Sequence, residues 1–377
     1  MKFRLLTPGP TMVPEETLLE LAKPMVYHRG AAARKILAEV LADLKKVFVT
    51  ENTILPLTCS GSGALEAALV NSVPAGKKAI VCSAGKFGER WRNIAQAFGI
   101  ETVNVTAPYG KAIQPDQVEQ ALKAHPDAVA VCSTLSETST GVGHDIEAFG
   151  KIVAPTPTLL LVDGISGIGA MECRTDAWRV DLCCAGSQKA FMLPPGLAFV
   201  SVSAKGWSVI ERNPSPRSFY LNLLKARKSV ETNDTPYTPA HTLIAALRVS
   251  LKRIMAEGIE PMWRRHALYA EASRAAFVAM GLEIFPERPN NALTVAKTPE
   301  GIDGNVLLET MEKRFGLKLG NGQDALKGKI IRLGHIGHVD QFDMLAAIAG
   351  LEITLQSMGH SAALGAGLTA AQRVFAR

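Results

Sequence analysis

Short apolar runs alternate with amphipathic stretches between residues 52 and 203 of the chain. The apolar runs are typical of strands buried in a sheet, and the stretches between them carry apolar residues at helical spacing. Strands are predicted at 54–57, 78–82, 101–105, 128–132, 158–162, 182–185 and 198–202. Helices are predicted between most of them, at 64–70, 87–98, 115–124 and 145–152. This alternation predicts an α/β fold in which a mostly parallel, seven-stranded sheet lies between helices. Ligands of such sheets gather beyond the carboxyl ends of the strands.

The pattern changes on either side of this region. Further helices are predicted at 14–22 and 31–48 before it and at 242–257 and 261–280 after it. Prolines make residues 207–240 an irregular segment. A smaller α+β unit is predicted to follow, with strands near 293–296 and 329–333, helices near 303–315 and 340–358, and a short tail rich in Ala and Gly.

Composition excludes several classes of function. Of the 377 residues, 47% are hydrophobic and 20% are charged, which is typical of a soluble folded protein. The net charge of +6 is spread without a long Lys/Arg run, so we expect a surface that attracts small anions and not nucleic acid. The six cysteines form no CxxC pair, and neither a secretory signal nor a membrane-spanning stretch is visible. We therefore expect a cytoplasmic protein without a metal site.

Lys189 lies where a predicted strand gives way to a turn of small residues. It follows the strand at 182–185 and precedes Pro194-Pro195-Gly196. A lysine held partly away from water can attack an aldehyde and form a Schiff base, because the neutral amine is the nucleophile. Most lysines are solvated surface charges, so Lys189 alone does not indicate a reaction centre, and the interpretation depends on a second residue nearby.

Asp163 is the proposed partner of Lys189. It ends the apolar run 159–162, so an acid and a lysine lie at the ends of neighbouring predicted strands. A carboxylate beside the nitrogen of a pyridine ring keeps that nitrogen protonated and the ring able to accept electrons. A buried helix cap or an ion pair is the alternative. The glycines at 164–169 have the spacing G-x-x-G-x-G, which does not match the dinucleotide fingerprint.

Three further segments follow predicted strands. Gly61, Ser62 and Gly63 open a predicted helix, where small residues let backbone N–H groups enclose an anion. Phe87 offers a face for stacking on a flat ligand, and the hydroxyls of 136–140 offer hydrogen bonds to a phenol oxygen. Considered one at a time, the first segment is better explained as an ordinary turn and Phe87 as a core residue, and the hydroxyls are explained equally well as a turn cap.

Arg332 lies inside an apolar strand, 329–333. A buried arginine needs an anionic partner, which is either an internal carboxylate or the carboxylate of a substrate.

Together these segments resemble the class V (fold type I) aminotransferases that depend on pyridoxal phosphate, most closely the alanine–glyoxylate and serine–glyoxylate (serine–pyruvate) branch. The resemblance extends from Thr7-Pro8-Gly9-Pro10 to Ile331-Arg332-Leu333-Gly334. Its motifs are Ser60-Gly61-Ser62-Gly63-Ala64-Leu65-Glu66, Glu137-Thr138-Ser139-Thr140-Gly141-Val142, Leu161-Val162-Asp163 and Gly186-Ser187-Gln188-Lys189. It implies the PLP-transferase fold, with a segment 1–14 that crosses toward the active site, a large cofactor-binding domain 15–258 and a small domain 259–377.

The resemblance also implies roles for matching residues. Lys189 would bind the cofactor covalently as a Schiff base, Asp163 would pair with its ring nitrogen, and Arg332 would bind the substrate carboxylate. Phe87 would stack on the ring, Ile165 would pack under it, and Thr138 would reach the phenol oxygen. The residues implied to hold the cofactor are Gly61, Ser62, Gly63, Phe87, Thr138, Asp163, Ile165, Gln188, Lys189 and Thr238.

Two implications concern the substrate and the partner. Small residues around Gly9 imply a cramped site, hence transamination between a small amino acid and a small 2-oxo acid such as glyoxylate or pyruvate. Thr238 matches a phosphate contact that the partner subunit donates, which implies a homodimer with a shared active site. Its segment reads Thr235-Pro236-Tyr237-Thr238 where the family often has Tyr-His-His-Thr, so the substrate pair stays open. Residues 27–29 either line the site or pack at the domain junction, and packing at the junction is the expectation.

Other functions stay open beside transamination. A lyase, either desulfurase-like or a decarboxylase, would use the same Lys189 and Asp163, although no cysteine follows Cys184 to serve a desulfurase. A non-catalytic protein of the same fold has no need of Lys189, Asp163 or Arg332, all of which are present, and a dehydrogenase ranks last.

Overall fold

The computed structural model describes residues 2–213 and 217–377. Its strands are β1 (Arg4–Leu6), β2 (Thr53–Leu57), β3 (Lys78–Ser83), β4 (Glu101–Thr106), β5 (Ala130–Thr134), β6 (Ser136–Glu137), β7 (Val142–Gly143), β8 (Leu159–Asp163), β9 (Leu182–Gly186), β10 (Ala198–Val202), β11 (Leu293–Lys297), β12 (Leu317–Asn321) and β13 (Ile330–Gly334). Its helices are α1 (Glu15–Leu21), α2 (Ala31–Phe48), α3 (Gly61–Ser72), α4 (Lys86–Ala97), α5 (Pro115–Ala124), α6 (Ile146–Val153), α7 (Ala204–Ile210), α8 (Leu223–Val230), α9 (His241–Glu257), α10 (Ile259–Ala279), α11 (Gly304–Phe315), α12 (Gln341–Ser357) and α13 (Ala366–Phe375).

The large sheet has the strand order β2-β10-β9-β8-β5-β3-β4. Strand β10 runs antiparallel to both of its neighbours, and the other pairs are parallel, so the predicted mostly parallel, seven-stranded sheet is confirmed. Strands β5, β8 and β9 are buried along their whole length because helices cover both faces of the sheet.

Alternation along β8 divides its residues between two cores. Leu160 and Val162 pack in the core that contains Phe149, whereas Leu159 and Leu161 pack in the core that contains Leu65 of α3. Residue 163 continues the second face, so the carboxyl end of β8 presents its acid on the side of α3. The register pairs Asp163 with Thr134 of β5 and Cys184 of β9, which brings three strand ends to one edge.

The small sheet has the order β1-β12-β13-β11. Its first strand comes from the N-terminus and pairs in parallel with β12, with Leu5 opposite Lys318. Leu6 and Leu333 of this sheet pack against Phe277 of α10 and Met344 of α12 in a third core. The N-terminal segment is therefore fastened to the C-terminal part of the chain before it passes the large sheet.

The prediction that residues 207–240 are irregular is wrong in part, and the tail contains a helix that was not predicted. The segment 207–240 contains α8, which buries only Leu223 and Ala226 and so leaves a weak apolar pattern. The tail contains α13, which packs on α10 through the small or branched residues Gly367, Ala371 and Val374. Within the described residues, none of the helices combines the length and the apolar character that crossing a bilayer requires.

Candidate active site

A cavity of about 480 Å³ lies between the carboxyl edge of the large sheet and the small sheet. The large sheet contributes residues that follow β3, β5 and β9, and the other wall comes from α11, β12 and β13. Five residues predicted from the sequence line it together: Gly9, Phe87, Thr138, Lys189 and Arg332.

Lys189 points its amine at the N-terminal segment. Its Nζ donates a hydrogen bond to the carbonyl oxygen of Pro8 at 2.9 Å. Burial lowers the pKa of Lys189 to about 8, against the opposing effect of the nearby Asp163 carboxylate. A substantial fraction of the amine is therefore neutral near pH 8, as a nucleophile or a proton acceptor requires. Gly9 is needed beside it, because a Cβ on Gly9 would overlap Lys189 Nζ.

Asp163 is buried at the end of β8, where it is 4% exposed. Its Oδ1 accepts a hydrogen bond from the N–H of Ile165 at 2.9 Å. Burial raises the pKa of Asp163 to about 7, and the positive charges of Arg90 and Lys189 oppose that rise. Such a carboxyl group is stabilised in its charged form by any cation that enters beside it.

The start of α3 is open to an anion. Its N-cap, Ser60, makes no side-chain hydrogen bond to the helix, so the helix dipole and the first N–H groups are available. Ile165 packs on Gly61 so closely that a Cβ there would overlap the Ile165 side chain. The buried Oε1 of Gln188 has no hydrogen-bond partner among the described residues. Gly61, Ser62 and Gln188 are the residues predicted to hold a phosphate.

Glu137, which the sequence analysis did not single out, fixes the position of Phe87. Its buried carboxylate accepts hydrogen bonds from the N–H groups of Phe87 at 3.1 Å and Gly88 at 2.9 Å, at the start of α4. It also accepts from the N–H and the hydroxyl of Ser139. Burial raises the pKa of Glu137, and these four donors oppose the rise. In the sequence, the only signal for this role was the place of Glu137 at the start of the motif 137–142.

Thr138 joins two parts of the site. Its hydroxyl lies 2.9 Å from the hydroxyl of Ser166, and its carbonyl oxygen accepts a hydrogen bond from Arg332 Nη1 at 2.9 Å.

Arg332 has no carboxylate partner in the described part of the chain. Its Nε donates to the carbonyl oxygen of Asn321 at 2.6 Å, and its other contact is the Thr138 carbonyl oxygen. The alternative of an internal carboxylate is therefore not realised among residues 2–213 and 217–377. Burial lowers the pKa of Arg332 to about 10, so the side chain presents a poorly solvated cation to the cavity. An anionic ligand would compensate this charge.

Thr238 and residues 27–29 lie away from this cavity. Thr238 is exposed and lines a separate depression with Tyr220 and Tyr237. Tyr27 is 69% exposed, so the expectation that it packs at a domain junction is wrong. Arg29 Nη1 contacts the Asp234 carboxylate at 3.2 Å, which links this segment to the one that contains Thr238.

Comparison with known proteins identifies the family. The chain matches the family described as aminotransferase class-V over residues 6–327. It is 40% identical to the small subunit of a soluble hydrogenase from Synechococcus sp., over 99% of this chain and 98% of that protein. It is 36% identical to L-aspartate–glyoxylate aminotransferase from Paracoccus denitrificans, over 97% of this chain and 94% of that protein.

A solved structure gives the same result. The crystal structure of ureidoglycine–glyoxylate aminotransferase from Bacillus subtilis matches with a TM-score of 0.94 at 27% identity, over 100% of this chain and 99% of that chain. The chain therefore belongs to the class V aminotransferase family and has the fold type I architecture. It is an aminotransferase.

Proposed function

We propose that the protein transfers the amino group of a small amino acid to a small 2-oxo acid such as glyoxylate or pyruvate, with pyridoxal phosphate as cofactor. One observation carries the proposal: the amine of Lys189 and the guanidinium of Arg332, which lacks a carboxylate partner among the described residues, face the same cavity. The choice of acceptor is supported by relatives named L-aspartate–glyoxylate and serine–glyoxylate aminotransferase.

The residues present fit the cofactor. Its pyridine nitrogen would lie beside the carboxyl of Asp163, whose pKa burial raises to about 7. Its phosphate would find the open start of α3, and its ring would find the face of Phe87. When bound, the cofactor supplies an aldehyde for covalent attachment and a ring that accepts electrons from the substrate carbon.

Each side chain then has a defined task. Lys189 would hold the cofactor through its amine, and the free amine would accept the proton of the substrate carbon. Asp163 keeps the ring nitrogen protonated. Arg332 binds the substrate carboxylate and orients the amino group toward Lys189.

We further propose a homodimer in which Thr238 of one subunit completes the phosphate site of the other. The proposal is supported by the exposure of Thr238 outside the cavity of its own chain. Phe219, which is 73% exposed, and Tyr220, which is 48% exposed, flank Tyr237 beside it. An exposed aromatic patch of this kind is typical of an interface.

A panel of amino donors tests the proposed function. Purified protein with pyridoxal phosphate is given alanine, serine or aspartate, each with glyoxylate or pyruvate. We expect a 2-oxo acid from the donor only when the acceptor is present, with ping-pong kinetics. Lys189→Ala is the control and should be inactive. Product formed without any acceptor would indicate the lyase alternative, and no product with any pair would contradict the proposal.

A further inference from the structure

Arg90 connects the two segments that frame the site of the proposed cofactor. It lies on α4, one turn after Phe87, and its Nη1 donates to the hydroxyl of Ser62 at 3.0 Å, at the start of α3. Its guanidinium carbon lies 4.8 Å from the centroid of the Phe87 ring, within the range of a cation–π contact.

The charge of Arg90 has no carboxylate partner among residues 2–213 and 217–377. Its polar contact is a neutral hydroxyl, although a half-buried guanidinium is stabilised best by an anion. The charge of Arg90 also affects Asp163 and Lys189. Burial has the largest effect on the pKa of each of these two residues, and the positive charge of Arg90 lowers both pKa values.

The phosphate site predicted from the sequence lacks positive charge. Gly61, Ser62, Gln188 and Thr238 are all neutral. A phosphate monoester carries about −1.5 to −2 charges near pH 7, whereas a helix N-terminus offers the equivalent of about +0.5. A neutral cradle would leave most of the phosphate charge uncompensated.

We propose that Arg90 is a binding residue for the phosphate group of the cofactor. In this inference, which rests on the proposed function, the guanidinium holds Ser62 with one N–H and uses its remaining donors for the phosphate oxygens. Phe87 stacks beneath the guanidinium and fixes the direction in which its planar set of N–H donors points. Arg90 thereby compensates the charge that the start of α3 leaves uncompensated.

Binding of two cofactor forms tests this role without an activity measurement. The apoprotein is titrated with pyridoxal phosphate and with pyridoxal, which lacks the phosphate. For Arg90→Met we expect the Kd for pyridoxal phosphate to rise about 10- to 100-fold, as for the loss of one charged hydrogen bond. The Kd for pyridoxal should stay unchanged. Arg90→Lys keeps the charge without the fork and should fall between Arg90→Met and the wild type.

Arg92→Met, on the same helix, is the matched control and should bind both compounds as the wild type does. Equal losses for the two compounds in Arg90→Met would overturn the proposal, because Arg90 would then act on the ring through Phe87. An unchanged Kd for pyridoxal phosphate would overturn it as well. If Arg90→Met fails to fold, Arg90→Lys and Arg90→Gln are compared in the same way. A wild-type protein that does not bind pyridoxal phosphate would instead refute the proposed function.

Discussion

Two oppositely charged groups, Asp163 and Lys189, are pushed toward neutrality by the same physical cause. Burial raises the pKa of the first to about 7 and lowers that of the second to about 8. Neither forms a direct hydrogen bond to the other in the described structure; each bonds instead to the backbone. Both groups can therefore interact with a ligand: the amine of Lys189 can attack a carbonyl carbon, and the carboxyl of Asp163 can pair with a cation.

The pKa of Asp163 has a consequence for stability. Its folded value of about 7 exceeds the ordinary value of 3.8, so the folded apoprotein holds this proton more tightly than the unfolded chain. This contribution to stability is complete below about pH 4 and is lost as the pH rises through about 7. We expect the unfolding temperature of wild-type apoprotein to fall more steeply over this range than that of Asp163→Asn. Parallel curves in a calorimetric pH series would contradict this expectation.

Arg332 gives a prediction about substrate binding. Arg332→Lys keeps a positive charge but loses the planar fork that holds a carboxylate by two bonds. We expect KM for the amino donor to rise about 10- to 100-fold. Covalent attachment of the cofactor to Lys189 should not change, and this serves as the internal control. A variant with wild-type KM would show that the substrate carboxylate binds elsewhere.

At the scale of single residues, the sequence predicted which charged side chains are buried better than it predicted the hydrogen bonds between distant segments. The burial of Lys189, Asp163 and Arg332 was predictable because each is a charged residue at or in an apolar strand, and their proposed roles stay predictions. The contacts of Glu137 and Arg90 were not predictable, because they reach backbone N–H groups and Ser62 across the fold. No local pattern encodes such contacts.

Among the elements, the start of α4 depends on a carboxylate from another strand. Glu137 of β6 takes the place of a local N-cap, since Gly85 has no side chain to offer. Because Phe87 is the second residue of α4, the hydrogen bonds that Glu137 accepts from the start of this helix also fix the position of the Phe87 ring in the cavity.

We expect Glu137→Gln to lower the free energy of unfolding by about 1–3 kcal/mol, because an amide NH₂ cannot replace an acceptor that serves several N–H groups. Denaturant unfolding measures the change. Ser139→Ala, which removes one donor to Glu137, is the milder comparison and should lose less. Equal stabilities of wild type and Glu137→Gln would refute the capping role.

The small sheet shows why some elements escaped prediction. Strand β1 has three residues, and β12 alternates only over Leu317-Lys318-Leu319 before Gly320 and Asn321, so both patterns are too short to predict a strand. Their pairing is decided by tertiary contacts, including the approach of Gly334 to the backbone of Thr7. The longer strands of the large sheet were predictable because burial on both faces demands continuous apolar runs.

For the whole molecule, the proposed homodimer predicts complementation between inactive variants. Thr238→Glu should disable the phosphate site by repulsion, and Lys189→Ala should disable covalent attachment. When the two are refolded together, a mixed dimer combines Lys189 of one subunit with the intact Thr238 of the other. We expect activity to return to about one quarter of the wild-type level, since random pairing makes half of the dimers mixed, each with one intact site.

Each variant refolded alone is the control and should stay inactive. Activity that fails to return, while native mass spectrometry shows that mixed dimers form, would mean that Thr238 serves its own subunit or none. The patterning of the chain alone does not predict the proposed homodimer, because exposed aromatics such as Phe219 look the same in sequence as core residues.

Covalent trapping of the cofactor tests the central claim most directly. The protein is saturated with pyridoxal phosphate, reduced with borohydride, digested and mapped by mass spectrometry, with Lys189→Ala treated in parallel. We predict that the cofactor's mass is found on Lys189 and is absent from the variant. A label on another lysine, or no label on saturated wild-type protein, would contradict the account.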